Sequence, residues 1–439
     1  MNNRNDPIPK ILKIVTENKI CDTCLGRLYG QLSHGLTNKE RGKSLRVTAG
    51  LAANKGIKEP ETCDVCEGLH SNLDKWVEKA IEKVKNYEFH SFLFGNRLEK
   101  RLIQNQISIE KKYKLENSEN FSHSINRLLG KHFRDELESR GLQVEANFET
   151  PDITILVDFR NQNIKTTVRS VYIYGRYLKL ARGIPQTIFP CPKCGGSGCE
   201  ECSYTGKAYP TSVEEIVSPP AQELSRAGST VFHGAGREDI DVLCLGQGRP
   251  FVLELENPKI RKINLYALTE KINEDDPKKV KVNELKIVTK NAVQEIKAAK
   301  PDKIYRAVVK CDREITDGKL DSVLATIEGR VFQRTPTRVA HRRADKIRAR
   351  EVFKVKGKRI SKKRYQIILW AESGLYIKEL FTAGGNEILP APSELLKAKL
   401  TVKELDVLDI PGCLKEGSDQ SYHFHQDEKN VEEAFAGIN

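Results

Sequence analysis

The chain has 439 residues, and 73 Lys and Arg against 60 Asp and Glu leave a formal net charge of +13. With 38% hydrophobic and 30% charged residues, the composition is that of a folded globular protein and excludes wholesale disorder; no run reaches the roughly 20 apolar residues of a membrane span. The length suits roughly two to four domains, and the basic balance points to an anionic partner, nucleic acid before membrane surface.

Along the chain, the polar N-terminus with Pro7 and Pro9 does not read as a signal peptide. Ile11, Ile14 and Val15 share a helix face, and Trp76, Ala80, Ile81 and Val84 predict a short amphipathic helix over 73–85. Residues 89–107 show no clear period. A helix is predicted over 124–140, with Ser124 as N-cap and Gly141 at C′. Ile153, Ile155, Val157 and Phe159 alternate as on a strand, and a second strand is expected over 166–173. Helix, strand, strand predicts a small α/β module. Further on, Ser218-Pro219 reads as a helix start, with the end near Ala227. Apolar runs at 241–245, 251–255, 304–309, 365–370 and 405–410 predict a large α+β domain with a mixed or antiparallel sheet. From Glu416 no core pattern returns before Val431–Phe435, so a loose extension is expected.

Eight of the eleven cysteines fall in four CxxC pairs; Cys244, Cys311 and Cys413 are scattered. Secreted disulfide frameworks are not spaced this way, so intracellular thiols on metal are expected. Zinc takes four thiolates tetrahedrally, and two CxxC turns close such a site. One set would be Cys21, Cys24, Cys63 and Cys66. The other is the compact run Cys191-Pro-Lys-Cys194-Gly-Gly-Ser-Gly-Cys199-Glu-Glu-Cys202, a domain boundary in its own right. Neither set leaves an open coordination position, so both predict structural zinc, at one or two sites. Redox dithiols and an iron–sulfur cluster are the competing readings.

The positive charge is clustered. Residues 330–350 hold seven arginines and one lysine against one acid, Asp345. Arginine over lysine favours bidentate phosphate recognition, and Arg334, Arg338, His341, Arg342 and Arg343 are the candidate contacts. A second basic stretch is Lys354–Arg364. In a third, Tyr172, Tyr174 and Tyr177 alternate with Arg176, Lys179 and Arg182, and rings among cations suit stacking on nucleotides; Arg176 and Tyr177 are its candidates. A solvated face is the bland reading of any one run.

The segment His233-Gly-Ala-Gly-Arg237-Glu-Asp239-Ile-Asp241 is dense in glycine and charge. Glycines let a carboxylate sit on a tight exposed turn, Arg237 would help keep Asp239 ionised, and an ionised Asp can act as a nucleophile. A salt-bridged loop is the alternative. Neither GxxxxGK[ST] nor GxGxxG is present, against an NTPase or a Rossmann methyltransferase.

At these residues the sequence resembles an archaeal THUMP-containing tRNA pseudouridine synthase of the kind acting on uridines 54 and 55 in the T arm. The stretches that carry the resemblance are 233–251, Gln333-Arg-Thr-Pro-Thr-Arg-Val-Ala-His-Arg-Arg-Ala-Asp345, Gly374-Leu-Tyr-Ile-Lys-Glu-Leu380, and, for the THUMP module, Pro151-Asp-Ile and Tyr172–Pro185. The resemblance implies Asp239 as nucleophile, with Asp241 its neighbouring rival, and Tyr305 as the ring that packs on the target base. It implies Lys378 as the partner of the catalytic Asp, with Tyr376 and Ile377 beside it, and Leu405 ahead of Leu408 as the pocket leucine. The sequence departs from the family at Val242-Leu-Cys-Leu, which lacks a cation usual there, and at Gly384-Gly-Asn-Glu. The implied reaction is an isomerisation without redox or nucleotide cofactor. The implied partner is tRNA, with no membrane, a cytoplasmic setting and protein partners left open. The expected regions are 1–70 with the first zinc set, 71–190 as THUMP-like, 191–210 as zinc knuckle, 211–415 as catalytic domain and 416–439 as extension. A non-catalytic RNA-binding protein on the same fold is the rival function.

Overall fold

The computed structural model describes residues 7–32, 35–337, 344–382, 387–417, 422–425 and 431–436. Arg338, His341, Arg342 and Arg343, and the Gly384-Gly-Asn stretch, lie outside the described residues. By contact the chain divides into two units, 1–169 and 170–439.

The first unit begins with α1 (Ile8–Glu17), α2 (Asp22–Leu28) and α3 (Asn38–Ala52). Thr37 caps α3 in a reciprocal box with Glu40, which satisfies two N–H groups that the helix start would orphan. Helices α2 and α3 cross at two glycines. A Cβ on Gly26 would lie 1.8 Å from the Asn38 carbonyl oxygen, and one on Gly42 1.8 Å from that of Asp22. Only glycine permits that approach. Then follow α4 (Leu73–Val84), β1 (Ser91–Arg97), α5 (Lys100–Tyr113), α6 (Phe121–Ser139), β2 (Glu145–Ala146), β3 (Ile153–Asp158) and β4 (Asn163–Val168). The sheet order is β2-β1-β3-β4, with β3–β4 antiparallel and β1 parallel to both its neighbours. Helix α6 lays Ile125, Leu129 and Phe133 on this sheet, and the Phe133 ring sits 4.9 Å from Phe92 and 5.2 Å from Phe94. Its cap is Asn120, whose side chain accepts from the His123 N–H, so the helix starts before Ser124, which is buried within it.

The second unit is built on a ten-stranded sheet. Its strands are β5 (Val171–Lys179), β6 (Ser229–Gly234), β7 (Leu243–Glu256), β8 (Val280–Val288), β9 (Lys303–Cys311), β10 (Gly329–Arg334), β11 (Ile347–Ser361), β12 (Arg364–Ala371), β13 (Ile388–Leu389) and β14 (Leu400–Asp409). The path runs β13-β10-β11-β12-β9-β14-β7-β5-β8, with β6 also on β7. The β7–β14 pair is parallel and short, Asp406 against Leu243 and Val407 against Cys244; the other pairings are antiparallel. The sheet is therefore mixed and mostly antiparallel, as expected.

Helices α7 (Val213–Ser225), α8 (Leu265–Asp275) and α9 (Asn291–Ala298) accompany one part of it, and α10 (Asp317–Ile327) and α11 (Ile377–Thr382) the other. On β9, Tyr305, Ala307 and Val309 face the core of α10 and α11. Ile304 points the other way, where Val431 and Phe435 of the C-terminal helix (Val431–Ala436) cover it. That part of the tail is docked, not loose: two apolar side chains one helical turn apart find an apolar sheet face.

Two other expectations shift. Helix α7 starts at Ser212, whose hydroxyl accepts from the Glu215 N–H, and Pro219 and Pro220 lie inside it. The expected strand over 166–173 is two strands in different units, β4 and the start of β5, so the unit boundary at 169/170 precedes the expected boundary at 190. Backbone alternation continues across that boundary and hides it.

Candidate active site

The loop between β6 and β7 carries Asp239 into a cleft of about 650 Å³. Arg237, Asp239, Tyr305, Tyr376, Ile377, Lys378 and Leu405 all line it. They come from four places in the chain: the loop, β9, the N-terminal turn of α11, and β14. The Lys378 ammonium bridges two carboxylates. It lies 3.3 Å from Asp239 Oδ2 and 2.8 and 2.9 Å from the two oxygens of Asp241. Burial alone would push the Asp241 carboxyl up, but the hydrogen bonds and charge of Lys378 outweigh it and hold it below the usual carboxylate range. Asp241 is two-thirds exposed and is not part of the cleft wall.

Tyr305 is half-buried, its ring on the cleft wall. Burial pushes its phenol up to about 12, so the hydroxyl keeps its proton. Leu405 lines the cleft, whereas Leu408 packs on the opposite sheet face with Ile304. The guanidinium of Arg237 sits 5.2 Å from the centre of the Phe189 ring. Tyr376 is held by a reciprocal pair: its N–H donates to Gln333 Oε1 at 2.8 Å and its carbonyl accepts from Gln333 Nε2 at 3.0 Å. Arg334 is exposed and ion-paired with Asp345 at 2.7 Å and Glu387 at 3.2 Å.

The Tyr/Arg run at 172–182 requires a correction. Arg176 and Tyr177 are fully buried, so neither faces RNA. Arg176 donates to the carbonyls of Gln247, Gly248, Ile410 and Gly412, and stitches β5 to the segments beside it. The alternation of rings and cations belongs to a central strand covered on both faces, where periodicity alone does not separate core from binding surface.

Beneath the Asp239 loop lies a set of charges that the sequence did not single out. Glu238 turns inward, with Arg249 Nε at 2.7 Å, Lys179 Nζ at 3.6 Å and the Tyr177 hydroxyl at 2.9 and 3.1 Å. The Arg249 contact is a charge contact without directed hydrogen-bond geometry. Lys179 donates to the carbonyls of Ile184, Asp239 and Ile240 at 3.0, 3.1 and 3.2 Å. Gln186 joins the Tyr177 hydroxyl to the Gly236 carbonyl.

The cysteines gather as two tetrads, Cys21, Cys24, Cys63 and Cys66, and Cys191, Cys194, Cys199 and Cys202, with the sulfurs of each within 4.8 Å of one another. Neighbouring sulfurs stand 3.7–3.9 Å apart where their separations are shortest. Four ligands at about 2.3 Å from a central zinc would stand about 3.8 Å apart in a tetrahedron, so the donor set fits. Backbone N–H groups of Gly198, Cys199 and Gly206 donate to these sulfurs in the second tetrad, and in the first the Arg27 guanidinium donates to Cys24 Sγ at 3.4 Å. Such bonds favour the thiolate form.

Comparison with known proteins gives concordant matches. The family described as Pus10, C-terminal, matches residues 172–411, and that described as Pus10 THUMP domain, archaeal, matches residues 76–158. Proteins called tRNA pseudouridine synthase Pus10 are similar over nearly the whole length. That of Methanocaldococcus jannaschii is 39% identical, covering 91% of this chain and 93% of its own. That of Methanothrix thermoacetophila is 36% identical, covering 93% and 95%. A chain of the solved Cbf5-Nop10-Gar1 complex overlaps 44% of each chain at 18% identity and a TM-score of 0.29.

Proposed function

The chain belongs to the Pus10 family and is a tRNA pseudouridine synthase, and from that premise we propose that it isomerises uridine 54, uridine 55 or both in the T arm, with Asp239 as nucleophile. The observation that carries the residue assignment is the place of Asp239: it lines the same cleft as half-buried Tyr305 and lies 3.3 Å from Lys378.

In this reading the target uridine leaves its stack and lays its uracil on Tyr305, since an aromatic ring offers a flipped base the π-face it has lost. Leu405 and Ile377 supply the apolar walls. Asp239, paired with the Lys378 ammonium, attacks as nucleophile, and the N1–C1′ bond breaks. The base turns and rejoins C1′ through C5, the bond made by Asp239 breaks and returns the free carboxylate, and the C5 proton leaves while N1 gains one. Atoms and charge balance within the substrate, so no redox or nucleotide cofactor enters. Arg237 and the exposed Arg334 meet backbone phosphates, Tyr376 borders the substrate path, and the basic segment carrying Arg338, His341, Arg342 and Arg343 contributes further phosphate contacts. The THUMP unit grips the tRNA, and the two cysteine tetrads hold structural zinc, which braces their loops and takes no part in the chemistry. No described helix is long and apolar enough to cross a membrane.

The test is incubation with an unmodified tRNA transcript and position-by-position mapping of pseudouridine. Product at 54 or 55 that disappears in Asp239→Ala, while tRNA binding persists, supports the reading. Product only at other positions, or undiminished product in Asp239→Ala, overturns it.

A further inference from the structure

The residue before the proposed nucleophile, Glu238, is buried at the floor of the cleft, and its surroundings are unusual. Glu238, Arg249, Lys179 and Tyr177 are all buried, the last three to within about 1% of full burial. Burying three formal charges is unfavourable unless each is matched, and here the sum of one carboxylate, one guanidinium and one ammonium leaves a single positive charge under the loop. The three ammonium hydrogens of Lys179 are fully committed, and two of them go to the carbonyls of Asp239 and Ile240. The third goes to Ile184, so the loop is tied to the segment after β5. On the cleft side the Asp239 carboxylate meets Lys378.

We infer that Lys179 is a positioning residue for the reaction. By holding the peptide carbonyls of Asp239 and Ile240, with Glu238 as its buried counter-charge, it fixes the angle at which the Asp239 side chain enters the cleft. The inference rests on Asp239 being the nucleophile. A loop with Gly234 and Gly236 on the approach has little stiffness of its own, and Gly236 adopts a φ of +74°. Its stiffness is supplied from below, by bonds to the backbone of the residue that must aim. Misplacement of a reacting group by about 1 Å can cost about 100-fold in rate.

A purely structural role, charge balance in the core, makes a different forecast. Lys179→Met removes both the carbonyl bonds and one positive charge, leaving Arg249 to neutralise Glu238. Adding Glu238→Gln restores the buried charge to +1 but not the bonds. With the full chain and unmodified tRNA transcript, Lys179→Met is expected to slow single-turnover pseudouridine formation by about 100-fold, with the tRNA dissociation constant changed less than about 2-fold. The Lys179→Met/Glu238→Gln pair is expected to stay as slow. Recovery of the rate in the double variant, or an equal loss in binding and rate, overturns the inference in favour of charge balance or general loosening. Should both variants fail to fold, Tyr177→Phe keeps every charge and removes the bonds of its hydroxyl, the one it donates to Glu238 and the one it accepts from Gln186. It is expected to lower the rate several-fold at unchanged tRNA affinity, and a wild-type rate there overturns the inference. Asp239→Asn is the separating control: if it retains activity, the nucleophile assignment itself fails and the Lys179 result does not bear on it.

Discussion

The Lys378 ammonium stands closer to Asp241, at 2.8 Å, than to Asp239, at 3.3 Å. The lysine is thus shared, and its nearer partner is not the carboxylate that lines the cleft. Sharing spreads one positive charge over two acids and keeps Lys378 in place while the loop is empty.

This arrangement separates the two acids experimentally. Asp239→Asn removes the proposed nucleophile and is expected to lower single-turnover pseudouridine formation by at least about 1000-fold. Asp241→Asn leaves the nucleophile and concentrates Lys378 on it, so the rate should stay within about 10-fold of wild type. Equal losses in the two variants would refute the division of roles.

The same contact has a pH signature. Lys378 holds the folded-state Asp241 carboxyl below its ordinary range. Its contribution to stability is therefore present above the unfolded carboxylate pKa of about 3.9 and is lost as pH falls through the lower folded value. Because Asp241 is two-thirds exposed, solvent screening keeps the effect small, at about 0.5 kcal/mol or less. Urea unfolding of wild type and Lys378→Met should differ slightly at pH 7 and converge near pH 3; a difference that widens in acid would contradict the pairing.

The two tetrads should release metal unequally. Cys24, Cys63 and Cys66 are buried, whereas Cys194, Cys199 and Cys202 are partly exposed. A chromogenic chelator is expected to remove zinc first from the 191–202 knuckle and later, with loss of helical signal, from the first tetrad. The order follows because a structural site in a core opens only with local unfolding. Cys199→Ser should abolish the fast phase alone. Fully folded, metal-free protein by elemental analysis would reject zinc at both.

Arg176 offers a test of the corrected surface. Its guanidinium is fully buried among four carbonyls, so Arg176→Met should destabilise the second unit by about 3–5 kcal/mol in denaturant unfolding. The folded fraction should keep its tRNA affinity and its salt dependence. A lower salt slope with intact stability would return Arg176 to the RNA-facing surface.

Much of this molecule was legible before its fold. The cysteine spacing foretold both tetrads, because a CxxC turn and its zinc geometry are local. The glycine-rich turn foretold a loop bearing Asp239, and the resemblance supplied Tyr305, Lys378, Ile377 and Leu405, all of which line one cleft. What the chain order could not contain was which cations look inward. Arg176, Tyr177 and Lys179 read as an RNA-binding stripe, yet β5 lies between β7 and β8 with both faces covered. Burial of a strand is decided by its neighbours in space, and the residues paired with β5 are 65 or more positions away along the chain. Glu238 and Asp239 likewise differ by one step in sequence, yet the first side chain is buried and the second partly exposed. The residue types and their spacing set the chemistry available to this chain. Only the packing of β5, β7, β9 and β14 decided which charged side chains are exposed and which are buried.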